Sequence, residues 1–274
     1  MIVPRVTVII PTYNWSTVLP YSIGSVLAQT FADFELLVIG DGCTDDSEEV
    51  VRAIDDPRVR WANIARSGHQ FGPNNEGLRR ARGEYIAYLG HDDLWLPHRL
   101  AVGVAALDAG ADLAHSLLLQ VPPQGEATIS APTLTPPPSC VMHKRAMTEA
   151  LGGWRDFRAL SVTPELDLWT RAAAAGFAFA FVPRLTGVKF SAAVRRNVYG
   201  ERPSHEQAAW LARIRAEPEL EAIELAKIAV RSYRFPSFAG RLWALLTTPS
   251  RWRAFIWRGG GARLRVEQRF KGVR

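Results

Sequence analysis

The chain has 274 residues, 47% of them hydrophobic, enough for one large domain or one domain with an appendage. Two cysteines, Cys43 and Cys140, exclude a disulfide framework and a cysteine metal cluster and fit a reducing compartment. The net charge of +6 is uneven: from Arg231 onward eleven Lys/Arg face one acid, Glu267, whereas residues 1–230 carry 22 basic and 26 acidic groups.

No secretory signal precedes the first strand, and no uncharged apolar run approaches ~18 residues, so a cytoplasmic protein without a transmembrane helix is expected. Val6–Ile10 reads as a strand stopped by Pro11, and Leu19 to Gln29 has helical spacing. Phe34–Ile39 is a second strand broken by Gly40 and Gly42. Asp45 to Ala53 is helical, with Asp45 or Asp46 as its N-cap. Val59–Ala62 is a short strand, Asn75 to Ala81 a helix, and Tyr85–Leu89 a buried strand between Gly83 and Gly90. Leu96 to Leu107 is helical. Pro122 to Pro138, rich in Pro, Thr and Ser, is a loop or edge excursion. A strand resumes over Ser139–His143, a helix follows over Glu165 to Ala175, and Phe177 to Val182 is a last strand closed by Pro183. After Lys189 the pattern is helical and basic. Strand and helix alternate with short connections, which predicts an α/β sandwich around a mostly parallel sheet.

In the tail, arginines interleave with Trp243, Trp252, Phe255, Trp257 and Phe270. That mixture suits an anionic surface such as membrane headgroups, and nucleic acid is not the expected partner. The competing reading packs the aromatics on the core and leaves the arginines solvated.

Three stretches carry the chemistry. Gly90-His91-Asp92-Asp93-Leu94-Trp95 puts two adjacent carboxylates just past a strand's carboxyl end, where open α/β sheets bind ligands. A hard divalent cation bridging to a phosphate would relieve their repulsion. Equally, Asp92 starts a turn and Asp93 caps the helix beginning near Leu96-Pro97. Pro11-Thr12-Tyr13-Asn14 offers a ring, a hydroxyl and an amide that suit a flat base and its ribose, or is an ordinary turn. Gly40-Asp41-Gly42-Cys43-Thr44-Asp45-Asp46-Ser47 lets the backbone approach a ligand, with Asp41 ready to accept from a base ring N–H or a ribose hydroxyl. Neither Gly-x-Gly-x-x-Gly nor Gly-Lys-Ser/Thr is present in these loops, which argues against a nicotinamide dehydrogenase and a P-loop enzyme.

Those stretches, with Ser25–Thr30 and Gly83–Ala87 between them, occur in an order and spacing that resembles family 2 glycosyltransferases of the GT-A fold, over roughly residues 5 to 190. The resemblance implies a GT-A domain over residues 1–195, a helical basic tail over 196–274, a nucleotide-sugar donor, a divalent cation (Mn²⁺ or Mg²⁺) and inversion at the anomeric carbon. It implies that Pro11 and Tyr13 border the base, with Thr12 among the donor-binding residues, and that Asp41 bonds the base ring N–H, which favours a UDP- or dTDP-sugar. Asp93 becomes the metal ligand, Asp92 meets the ribose or the metal, and His69 contacts the diphosphate. The acceptor would be a hydroxyl of a glycan or lipid-linked sugar, with peripheral contact at the inner face of an anionic membrane.

Three departures matter. Gly40 replaces the first of two usual acids. Gly90 and His91 stand where many members have Asp-Ser, so that one metal ligand is missing or His91 supplies it. Thr163-Pro164-Glu165-Leu166-Asp167 occupies the place of the Glu-Asp base motif, and the register from Asp-Leu-Trp puts Glu165 at the base position. These departures keep open a non-catalytic nucleotide- or glycan-binding module. A sugar-phosphate nucleotidyltransferase is the third reading, against which stands the missing Gly- and Lys-rich loop after strand one. Trp154 and Trp169 read as core, with Trp154 the better placed to line an acceptor groove. His205 lies where some members place a late metal ligand, in surroundings that do not match. Lys189, Arg195 and Arg196 read as groups that meet phosphate or, the preferred reading, as solvated charges.

Overall fold

The structure is a computed structural model that describes residues 3–130 and 136–233. Its sheet runs in the order β3-β2-β1-β4-β8-β6-β9-β5, with β7 attached to β6. Strands β1 (Val6–Thr12), β2 (Phe34–Asp41), β3 (Val59–Ile64) and β4 (Tyr85–Tyr88) form a wholly parallel half. Helices α1 (Leu19–Leu27), α2 (Ser47–Arg52) and α3 (Phe71–Arg80) are the crossovers that parallel pairing demands. In the other half the pairing is mixed: β8 (Val141–Lys144) is antiparallel to both β4 and β6 (Leu113–Gln120). Strand β6 is parallel to β9 (Phe179–Lys189), which is antiparallel to β5 (Leu94–Trp95). The two-residue β7 (Thr128–Ile129) closes a hairpin on β6.

Every residue of β2 is buried, as expected of a strand covered on both faces. Alternation along β1 sends Val6, Val8 and Ile10 to one core with Ile23 and Val26 of α1 and Leu100 and Leu107 of α4 (Arg99–Asp108). Ile9 goes to the opposite core, which holds Met147 of α5 (Arg145–Leu151) and Leu168 and Trp169 of α6 (Pro164–Ala174).

Several expected boundaries move. Helix α3 starts at Phe71 rather than Asn75, because Pro73 falls in the first turn, where a missing N–H costs nothing. Helix α4 starts at Arg99 rather than Leu96, because Leu94–Trp95 are taken into the sheet against Val188 and Gly187. The cap of α2 comes from Asp45, not from the N-cap residue Asp46: Asp45 Oδ1 accepts from Ser47 N and Oγ at 3.3 and 2.6 Å. Strand β9 continues through Pro183 to Lys189. Val182 pairs with Ser116 and Leu185 with Leu117, so Pro183 and Arg184 bulge out where no ladder N–H is needed. Strand β6 has no counterpart among the elements expected from the sequence.

After β9 come α7 (Val198–Glu201), α8 (His205–Ala216) and α9 (Leu220–Tyr233). Leu211, Ile214 and Leu220 are buried with Leu94, Leu96, Leu185, Val188 and Phe190, so these helices share a core with the sheet. Arg184 on the bulge pairs with Glu221 at 2.7 Å. The aromatic and basic residues Trp243 to Phe270 lie outside the described residues. Among the described residues, no helix is long and apolar enough to cross a membrane.

Candidate active site

Because β1, β2 and β4 are parallel, their carboxyl ends open on the same side of the sheet, and the three singled-out stretches meet there. Asn14 takes the left-handed region (φ 41°), which asparagine tolerates better than most residues. Its Oδ1 accepts from Thr44 N at 2.7 Å, and its Nδ2 donates to Thr44 Oγ1 at 3.1 Å. These bonds lock the end of β1 to the loop after β2.

Asp41, 4% exposed, accepts from Ser67 N and Ser67 Oγ at 2.7 Å each and from Gly68 N at 2.9 Å. The same loop lays the Arg66 guanidinium 3.2 Å from the Tyr13 ring centroid, and Arg66 Nη1 donates to Asp41 O at 3.2 Å. Thus Tyr13 and Asp41 do converge, with the planar Arg66 group stacked between loop and ring. A Cβ at Gly40 would lie 2.6 Å from Asn63 Oδ1 and 2.8 Å from the Trp61 indole, so this fold has no room for an acid there.

Thr12 turns toward the third stretch: its Oγ1 shares a hydrogen bond with His91 Nδ1 at 2.8 Å. His91 Nε2 meets Tyr199 OH at 3.3 Å, and Trp15 packs edge-on at 5.2 Å. Both ring nitrogens are therefore engaged, against the expectation that His91 offers a metal ligand. Burial pushes the His91 pKa down to about 4, which keeps the imidazole neutral. Tyr199 sits on α7, a single turn between the left-handed residues Asn197 and Arg202.

The largest difference from the sequence-based expectation concerns Asp93. Its side chain is 0% exposed; Oδ2 accepts from Ser139 Oγ at 2.6 Å and Lys189 Nζ at 3.0 Å, and Oδ1 accepts from Phe190 N at 3.0 Å. Three of its roughly four lone-pair sites are taken. In this arrangement Asp93 does not cap α4; paired with the Lys189 ammonium, it pins β9 to the end of β4. Lys189 is correspondingly not a solvated charge. Burial works against its ammonium, but Asp93 and then Asp92 outweigh burial and hold its pKa above the usual range. Arg195 is not solvated either: 7% exposed, it pairs with Glu206 at 2.9 Å.

Asp92 is the acid of the pair with accessible surface, 8%, and its carbonyl accepts from Gln207 Nε2 at 3.2 Å. A Cβ at Gly90 would lie 3.2 Å from Asp92 Oδ1 and 3.0 Å from Asp93 Oδ2, so both carboxylates flank that glycine. Among the described residues, no group of three or more His, Cys, Asp or Glu could hold a metal by itself.

Glu165 is half-buried in the first turn of α6, and Gln70 Nε2 donates to its Oε2 at 3.3 Å. Asp167 is committed elsewhere: Arg171 Nε donates to it at 2.8 Å while the same guanidinium bonds Leu151 O and Gly153 O at 2.7 Å each. His69 packs its ring on Phe157 at 5.2 Å, and His205 is exposed at the start of α8. Trp154 and Trp169 are core, 2% and 1% exposed, and Trp154 Nε1 donates to Tyr88 OH at 3.1 Å. Arg66, Lys189, Ser139 and Tyr199 join the site without any signal in the three stretches; each arrives from a distant loop or strand.

Residues 7–125 match the family model described as glycosyl transferase family 2. Over that stretch, a little under half of the chain, the protein is similar to family 2 glycosyltransferases. Among characterised relatives, the Escherichia coli UDP-Glc:alpha-D-GlcNAc-diphosphoundecaprenol beta-1,3-glucosyltransferase WfgD is 33% identical over 102 residues, which is 37% of this chain and 40% of that protein. The chain spans less than half the length of the curated relatives it matches. In three dimensions it superposes on S. aureus TarS 1–349 in complex with UDP-GlcNAc with TM-score 0.61 at 18% identity, covering 89% of this chain and 76% of that one. Against the mannosyltransferase PcManGT from Pyrobaculum calidifontis, in complex with GDP-Man and Mn2+, the TM-score is 0.59 at 18% identity, covering 98% and 87%. The fold is the GT-A sandwich that the family 2 glycosyltransferase resemblance implied.

Proposed function

We propose that this protein is a family 2 glycosyltransferase that transfers a sugar from a UDP- or dTDP-sugar to a hydroxyl of a glycan or lipid-linked acceptor, with inversion. One observation carries the reading. A single loop links the base-side acid to the α6 acid: Asp41 holds Ser67 and Gly68, and three residues from Ser67, Gln70 touches Glu165. Donor recognition and the acid at the base position are thereby joined in one continuous site. The names of relatives support the substrate class, since WfgD acts with UDP-Glc on a diphosphoundecaprenol-linked sugar and TarS holds UDP-GlcNAc. PcManGT holds GDP-Man, so the choice of base rests here on Asp41, whose carboxylate suits a ring N–H.

In the proposed reaction the acceptor hydroxyl attacks the anomeric carbon from the face opposite the nucleoside diphosphate. The new C–O bond forms as the old one breaks, and the electron pair leaves with the diphosphate. Glu165 takes the hydroxyl proton, so no protein nucleophile is required. For the base to stack on Tyr13, Arg66 must leave that ring. The residues fit a divalent cation through one carboxylate, Asp92, completed by the donor's phosphate oxygens, which is how Mg²⁺ sites with phosphate substrates are commonly built. When bound, Mn²⁺ or Mg²⁺ would neutralise charge on the leaving diphosphate.

Glu165→Gln keeps the shape and removes the basicity. UDP binding should survive, and transfer should fall by ~10²-fold or more, the range of general-base contributions. If Asp167→Asn is the damaging change instead, the base assignment is wrong.

We further propose a cytoplasmic, peripheral placement at the membrane's inner face through the tail, where each basic residue near an anionic surface contributes about 1 kcal/mol and salt screens it. The full chain should co-sediment with anionic liposomes at low salt and release at high salt, and a chain ending at residue 233 should not. Liposome binding by the shortened chain as tight as by the full one would overturn the placement.

A further inference from the structure

Lys189 ends β9 beside the acid pair, and its environment is unlike that of a surface lysine. Its side chain retains 24% of its accessible surface while the partner Asp93 retains none. Of the two partners, then, Lys189 is the one with accessible surface at the strand ends. Asp93 is itself immobilised by Ser139 Oγ at 2.6 Å and Phe190 N at 3.0 Å, so it holds Lys189 in one place. Stability alone does not call for this arrangement, because apolar replacements for a buried ion pair are often neutral or stabilising.

The local charge balance shows what the ammonium is placed to meet. Asp92 and Asp93 both flank Gly90, and both act on Lys189. His91, neutral and tied to Thr12 and Tyr199, adds no charge. Tyr199 keeps its proton, its pKa raised by burial and by Asp92. One of the two acids is thus cancelled by a resident cation, and a nucleoside diphosphate seated at Asp92 meets Lys189 next to it.

We propose that Lys189 is a charge-compensating residue of the donor site, its ammonium held by Asp93 and facing the diphosphate of the nucleotide donor. This rests on the donor-site reading above. It follows that part of the diphosphate's charge is met by the chain itself, and that nucleotide binding does not depend wholly on a divalent cation.

The probe is UDP, with affinity measured by calorimetry in EDTA and again in Mn²⁺. Wild type should bind in EDTA within about ten-fold of its Mn²⁺ affinity. The double variant Asp93→Asn, Lys189→Met removes both charges at similar volume, and Asn can still accept from Ser139 or Phe190 N. It should lose about ten-fold or more in EDTA, the scale of a lost charge-assisted hydrogen bond, and regain most of that in Mn²⁺. Lys189→Arg should stay within about three-fold of wild type, since it keeps the charge. If the double variant melts too early to measure, Lys189→Gln, which can still donate to Asp93, is read in the same way. UDP binding by these variants in EDTA equal to wild type would reduce Lys189 to a strand pin and overturn the proposal. So would wild type that binds only with Mn²⁺. Wild type that binds UDP in neither buffer would instead bring down the donor-site reading, and this assignment with it.

Discussion

Asp41 and Asp93 are both buried carboxylates at strand ends on the same side of one sheet, yet they are held in opposite ways. Asp41 is satisfied by two backbone amides and a hydroxyl of a loop that includes Gly68 at φ 84°. Its hydrogen-bond donors are neutral and local to one loop, its nearby cation is the part-exposed Arg66 of that same loop at 3.6 Å, and these are exchangeable for a ligand's N–H at the cost of a few hydrogen bonds. Asp93 is satisfied by a lysine, a serine and an amide drawn from β9, from the turn before β8 and from the residue following β9. Its partners cannot leave without exposing a charge to a dry interior. A carboxylate at the expected place in a sequence is thus a candidate ligand only when the fold leaves its partners free to exchange.

The largest expected effect tests that contrast directly. Asp93→Ala leaves the partly covered Lys189 ammonium unpaired and should destabilise the fold by up to about 3–5 kcal/mol, the usual cost of breaking a buried pair from one side. Asp41→Ala leaves neutral donors and the part-exposed Arg66, which solvent can still reach, and should cost about 1–3 kcal/mol. Urea unfolding of the two variants side by side decides the matter, and equal losses would erase the distinction.

Ligand binding reads Asp41 separately from the fold. In Asp41→Ala, UDP affinity should weaken by about 1–3 kcal/mol, the range for losing a hydrogen bond to a buried polar group, and discrimination against GDP and ADP should shrink with it. A variant that binds UDP, GDP and ADP in the same order and strength as wild type would remove Asp41 from base recognition.

A smaller effect sharpens the role of the histidines behind the site. His91 and His143 are both buried and neutral, each with its pKa pushed down to about 4, chiefly by burial. An unfolded histidine titrates near ~6.5, so between that pH and about 4 the unfolded chain binds more protons and stability must fall as pH falls. Each histidine should cost up to about 1.4 kcal/mol per pH unit in that window and nothing above it. Melting midpoints from pH 8 to pH 5 read this out. In His91→Gln the slope should be shallower, and an unchanged slope would mean that His91 is not the titrating group.

Much of the parallel half is legible in the amino-acid sequence. Strands β1, β2 and β4 are short apolar runs, although β1 continues through Pro11 to Thr12 and β2 through Gly40 to Asp41, and the groups proposed to meet a nucleotide sit at or just past their ends. The proposed choice of Glu165 over Asp167 rests on local register, and the fold adds that Asp167 is committed to Arg171. The mixed half is not legible in the same way. Strand β6 lies between β8 and β9, and only some of its residues are fully buried, so it shows no clean alternation. Strand β9 reads as ending at Pro183, and only its bulge against β6 lets the ladder resume.

The amino-acid sequence by itself determined which acids, rings and glycines stand at the strand ends, because strand burial and turn chemistry are short-range. Tertiary structure alone decided what each of them touches. Lys189 reaches Asp93 across 96 residues and Tyr199 reaches His91 across 108. Arg66 reaches Tyr13 only because the loop after β3 folds back over the end of β1. A carboxylate's role depends on the charge and mobility of its partners, and those partners are assembled only when the second half of the sheet closes against the first.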